Sequence, residues 1–140
     1  MPRSIALGSL VVALFVLVAC DSGGENGVEN ISGRWSGTVD RNGTEQTIVV
    51  TLEQLQGGQT SNVVQGEGEV QADEQSFTFT IGNGAFLPAS NEVTLPQQYA
   101  MGRPGQIQGM VGANLETITA TITGGPVGFD GEEFTLNKLD

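Results

Sequence analysis

Histidine is absent from this chain of 140 residues, and cysteine occurs once, at position 20. No internal disulfide can form, so stability has to come from packing and strand pairing. The imidazole that serves much acid–base and metal chemistry near neutral pH is missing too. Cations are scarce: five Lys and Arg stand against sixteen Asp and Glu, a net charge of −11. Such a surface repels phosphate backbones, which excludes nucleic acid as a partner. Only carboxylates are left for catalysis, and a glycosidase-like pair must flank a cleft. Glu67 and Glu69 sit two apart on one strand face, and Glu132 and Glu133 are adjacent near a turn; both pairs read as solvated charge. No Asp-x-Asp-x-Asp-Gly calcium loop is present. These absences predict a non-enzymatic protein without metal or cofactor, with a carboxylate-type enzyme as the last-ranked reading.

The leader is the most specific feature present. Arg3 supplies one positive charge, and residues 5–19 are apolar except for Gly8 and Ser9. The run is shorter than the roughly 20 residues of a membrane helix and has the form of a secretory h-region. It ends in Leu17-Val18-Ala19-Cys20, which resembles the bacterial lipobox. The resemblance implies cleavage before Cys20, a thioether-linked diacylglycerol on its sulfur, and acylation, with palmitate or a similar chain, of the new amino group. Two or three chains anchor stably, since each buried methylene contributes about 0.8 kcal/mol. The expected organisation is a signal peptide at 1–19, a lipidated Cys20 with a flexible linker to residue 31, and one domain over 32–140. The linker Asp21-Ser22-Gly23-Gly24-Glu25-Asn26-Gly27 is polar, acidic and Gly-rich. The expected location is the bacterial cell envelope, with the membrane met through the anchor and inner and outer membrane both open.

From residue 32 the hydrophobic pattern has period two, the mark of half-buried strands. Trp35, Gly37 and Val39 share a face; so do Ile48, Val50 and Leu52; Val64, Gly66, Gly68 and Val70; and Phe77, Phe79 and Ile81. Alternation returns with Ile107, Gly109 and Val111, then Ile118, Ala120 and Ile122, then Phe134 and Leu136. Asn42-Gly43 predicts a type I′ hairpin turn, and Ala72-Asp73-Glu74 and Gly124-Gly125-Pro126 mark further turns. The inward glycines 66 and 68 leave room for a bulky neighbour such as Trp35, or permit sharp curvature. The fold class read from this pattern is all-β: a small antiparallel up-and-down β-barrel of about eight short strands, with a β-sandwich as the alternative. Ser32-Gly33-Arg34-Trp35-Ser36-Gly37 resembles the Gly-x-Trp of the lipocalin and avidin (calycin) superfamily. That likeness implies a barrel whose Trp plugs one end.

Residues 82–105 interrupt the alternation with Pro88, Pro96 and Pro104 and show one short strand candidate, near 92–95. Long irregular connections in small domains serve as lids or binding loops. This one gathers Phe86, Leu87, Tyr99, Met101 and Arg103 in a chain poor in aromatics and cations. Candidate ligand contacts are therefore Trp35, Phe86, Tyr99, Met101 and Arg103, with Arg103 suited to a carboxylate; the alternative is a loop capping the barrel. The functional expectation is an envelope-anchored binding or interaction module for a small apolar ligand or another envelope protein. A structural or assembly lipoprotein with a solid core is the alternative.

Overall fold

The computed structural model describes residues 30–55 and 62–139. The leader, Cys20, the linker and the turn expected at Gly57-Gly58 lie outside the described residues. Period-two alternation becomes eight strands: β1 (Gly33–Arg41), β2 (Thr44–Gln54), β3 (Asn62–Ala72), β4 (Gln75–Leu87), β5 (Glu92–Tyr99), β6 (Gly105–Val111), β7 (Thr117–Gly124) and β8 (Phe129–Lys138). Each pairs antiparallel with the next and β8 returns to β1, closing an up-and-down barrel rather than a sandwich. Among the described residues there is no helix. The closing seam pairs Trp35 with Lys138 and Ser36 with Asn137.

The β1–β2 hairpin turns at Asn42 and Gly43, whose φ angles of 56° and 84° are those a type I′ turn needs. The Gly43 N–H donates to Asp40 Oδ1 at 2.9 Å. At Gly66 and Gly68 the β2 backbone stands where a side chain would go, and a bulky neighbour is present at Gly68 alone. A Cβ on Gly66 would strike the Thr51 carbonyl, and one on Gly68 would strike the Val49 carbonyl and come within 2.8 Å of Phe79 Cζ. The bare backbone therefore lets β2 and β3 coil tightly, and the bulky neighbour is Phe79, not Trp35.

Eight alternating strands give the barrel two ends. The terminal end holds the start of the described chain, Leu139, and the β4–β5 and β6–β7 turns. The rim holds the β1–β2, β3–β4, β5–β6 and β7–β8 connections. The terminal end is pinned by Ile31 N–H donating to Gln54 Oε1 (2.9 Å), Gln54 N–H donating to Ser32 Oγ (2.8 Å) and Leu139 N–H donating to the Arg34 carbonyl (2.8 Å). One continuous cluster of Val, Ile, Leu, Phe and Trp side chains fills the interior.

Residues 82–105 differ from the sequence expectation. Most of them are strand: β4 runs to Leu87, and β5 spans Glu92–Tyr99 with Val93, Leu95 and Gln97 buried. The β4–β5 register shifts between Thr80↔Gln98 and Ala85↔Thr94, so β4 carries one extra residue. Ile81 and Gly84 both end up buried with Gly82 and Asn83 exposed between them, which destroys the parity that sequence reading relies on. Pro96, which cannot donate to a ladder, stands inside that interruption. What is not strand there is the tight turn of residues 88–91 and the short loop of residues 100–104.

Candidate functional site

The five side chains expected to meet a ligand fall into two groups. Trp35 and Phe86 are at the terminal end, each with 0% exposure. The Trp35 indole N–H donates to the Ile31 carbonyl at 3.0 Å, and Lys138 Nζ lies 5.7 Å from the ring centroid. This satisfies the one polar atom of the indole and leaves the side chain as a plug. Phe86 packs in the same core, where β4 pairs with the start of β5. Tyr99, Met101 and Arg103 are at the rim.

Two rim loops lock together. The Gly125 N–H donates to the Pro104 carbonyl at 2.9 Å. Gly102, at φ 101°, lies against Pro126, and the Tyr99 ring covers Gly125 so closely that a Cβ there would sit 3.1 Å from Cε1. Tyr99 also stacks on Phe79, centroids 5.3 Å apart and planes tilted by 52°, within the range of favourable aromatic pairs. Burial pushes the Tyr99 phenol above its ordinary pKa, and the Gln97 amide facing it offsets this in part.

A third element joins the clasp. Arg41, at the end of β1, donates from Nε to the Gly128 carbonyl at 3.2 Å. Arg103 approaches Gly128 from the other loop. The two Nη2 atoms lie 3.7 Å (Arg41) and 3.4 Å (Arg103) from one point, the position of a Cβ on Gly128. Among the described residues neither guanidinium forms an ion pair, although the chain carries sixteen acids. Arg41 is half-buried and Arg103 exposed. One Nη2 of each side chain thus approaches the same point beside Gly128, and guanidinium donors suit a carboxylate. Met101, 78% exposed, adds apolar surface beside them.

Below the rim the outer wall is concave. A depression of about 780 Å³ runs from Arg34 on β1 across Thr51, Glu67, Glu69 and Thr80 to Tyr99. Glu69 accepts from Ser76 Oγ (2.6 Å) and Gln71 Nε2 (3.3 Å). These two bonds, Ser76 first, hold its carboxyl below the usual carboxylate range. Among the described residues no group of three or more metal-ligating side chains gathers. The arrangement can bind an anionic group and apolar surface; it brings together no nucleophile and base.

Sequence reasoning singled out Tyr99, Met101 and Arg103 because their chemistry is scarce in this chain. It missed Arg41, which reads locally as part of the Asp40–Gly43 hairpin. Only barrel closure, which sets the end of β1 against the β7–β8 turn, brings Arg41 to Gly128. Compared with known families and proteins, the chain matches no family model, no curated protein and no solved structure.

Proposed function

We propose that this protein is a lipid-anchored module of the bacterial cell envelope that binds a partner protein through the rim of a solid barrel. The observation that carries the reading is the convergence of Arg41 and Arg103 on Gly128 with no carboxylate among the described residues paired to either. A partner carboxylate would fill that gap, and Tyr99 and Met101 would supply adjacent apolar contact. The anchor is the part that rests on the lipobox resemblance at Cys20. The described chain starts at the terminal end, opposite the rim. Residues between Cys20 and Asn30 could extend by about 3.5 Å each, so a lipid there would hold the terminal end near the bilayer and leave the rim available to the envelope space. A small apolar ligand inside the barrel is the weaker form of this function: Trp35, Ile48, Val50, Leu52, Phe79, Ile118 and Phe134 are all buried and occupy the interior. The structural or assembly reading shares the solid core but needs no rim site.

Photo-crosslinking in native membranes tests the proposal. A photoreactive residue at Met101 should yield one discrete protein adduct that is lost in the double variant Arg41→Ala, Arg103→Ala. The same residue at Val63, which is 46% exposed on β3 away from the rim, should yield none. Equal adducts from both positions, or a Met101 adduct indifferent to the arginines, would overturn it.

A further inference from the structure

The exposed apolar side chains of this barrel gather at one end. Among the described residues the exposed large hydrophobics are Leu55, Val63, Leu87, Met101, Met110 and Leu139. Of these, Met101 alone is at the rim. Leu55 follows β2 and donates its N–H to the carbonyl of Val63, near the start of β3, at 2.8 Å. Leu87 ends β4, Met110 is the last residue but one of β6, and Leu139 follows β8. In a closed antiparallel barrel these positions all fall at the terminal end, spaced around its circumference. Apolar residues scattered singly over a surface need no explanation, but a set of them at one end forms a collar.

The charges beside the collar nearly balance. Arg34 and Lys138 stand with Glu53, Glu92 and Glu116 at this end, in a chain of net charge −11. The β4–β5 turn, Pro88-Ala89-Ser90-Asn91, carries no charge at all. Two copies of so acidic a chain repel each other. A zwitterionic headgroup layer instead offers phosphates to the cations, ammonium groups to the acids and an acyl boundary to the collar. Chain length adds to this. Ten Cα–Cα steps separate Cys20 from Asn30, where the described chain begins at this same end, and they reach at most about 35 Å. A tether of that length presents the collar to the bilayer at an effective concentration on the order of mM, so shallow insertion of a few partly exposed side chains suffices.

We infer that the terminal end is a docking face for a zwitterionic lipid surface, with the apolar collar seated at the headgroup–acyl boundary and the rim turned away from it. The inference rests on the anchor at Cys20 in the proposed function, and it makes the bilayer a partner of the domain as well as of the lipid.

Hydrogen exchange read by mass spectrometry on vesicles tests it. The chain from Cys20 onward, which keeps every described residue, is coupled through the Cys20 thiol to maleimide-headgroup lipid in phosphatidylcholine vesicles. The same chain with its thiol capped is the untethered reference. Coupling supplies the tether whether or not the cell acylates Cys20, so a failure here is separate from a failure of the anchor. Tethering should slow exchange about twofold or more at residues 88–91 and 112–116 and leave the rim turns at residues 42–43 and 100–104 unchanged. Leu87→Ser with Leu139→Ser should abolish the slowing; both side chains are exposed, and unchanged strand exchange in the capped variant shows that the fold is kept. Leu87→Met with Leu139→Met should retain the slowing. No slowing, equal slowing at the rim, slowing that survives the serine pair, or slowing in the capped chain as its concentration rises, which would mark a second copy as the occupant, would each overturn the inference.

Discussion

Replacing Gly68 by alanine adds one methyl group where β3 has no room for it. The added Cβ would collide with the Val49 carbonyl and stand 2.8 Å from Phe79 Cζ, against about 3.5–4.0 Å for comfortable carbon contact. The Phe79 ring also packs against Tyr99, centroids 5.3 Å apart, which restricts its movement. The Val49 carbonyl belongs to a paired strand and cannot rotate away. Overpacking of this kind costs about 1–3 kcal/mol, and a rigid backbone obstacle puts Gly68→Ala in the upper half of that range. That is a large share of the roughly 5–15 kcal/mol that holds a domain folded. Urea unfolding followed by fluorescence of Trp35, the only Trp and fully buried, reads the loss directly. Gly82→Ala is the control: it has no neighbour within 4 Å and no positive φ, so its stability should stay within about 0.5 kcal/mol or rise slightly. Combining Gly68→Ala with Phe79→Leu should cost less than the two single changes added together, since they share one contact. A Gly68→Ala protein as stable as the parent, or a Gly82→Ala protein equally damaged, would refute the claim that glycines set the curvature of this wall.

Two further outcomes rest on the rim geometry and a third on the lipobox resemblance. Tyr99 is the only tyrosine, so its phenolate absorbance can be titrated without ambiguity; burial raises its pKa, and the folded protein should show little phenolate at pH 10, where an unfolded tyrosine is about half ionised. The folded state holds that proton more tightly, so this contribution to stability is complete below about pH 10 and is lost as pH climbs above it, a slope that Tyr99→Phe should remove. Arg41→Ala should cost about 1 kcal/mol in urea unfolding because it deletes the bond to the Gly128 carbonyl, whereas Arg103→Ala, exposed and without such a bond, should change stability by less than about 0.5 kcal/mol; equal costs would contradict the clasp geometry. Cys20→Ser should move the protein from the membrane fraction to the soluble fraction or leave an uncleaved precursor, and unchanged membrane retention would contradict the anchor.

Much of the barrel is legible in the sequence because most strands keep strict parity. Ile48, Val50 and Leu52, or Ile118, Ala120 and Ile122, alternate without a break and are buried as read. Asn42-Gly43 states its turn chemistry in two residues. Legibility fails where a single inserted residue shifts parity: Ile81 and Gly84 both face inward, and the prolines beyond them imitate a loop. Phe129 is hidden for a related reason, since it begins β8 immediately after Gly128 and reads as part of a turn. The candidate site was half visible. Scarcity marked out Tyr99 and Arg103, but Arg41 and Gly128 acquire meaning only after the last strand returns to the first. Trp35 and Phe86 were scarce too, yet their burial at the opposite end makes them part of the core.

Where the rim can act depends on what happens at position 20. The most direct measurement is the intact mass and N-terminal sequence of the protein extracted from membranes of its native host. The account predicts a chain that begins at Cys20 and carries a diacylglycerol thioether with an acylated amino group. A chain that retains Met1–Ala19, or one that begins elsewhere with an unmodified Cys20 thiol, would contradict it.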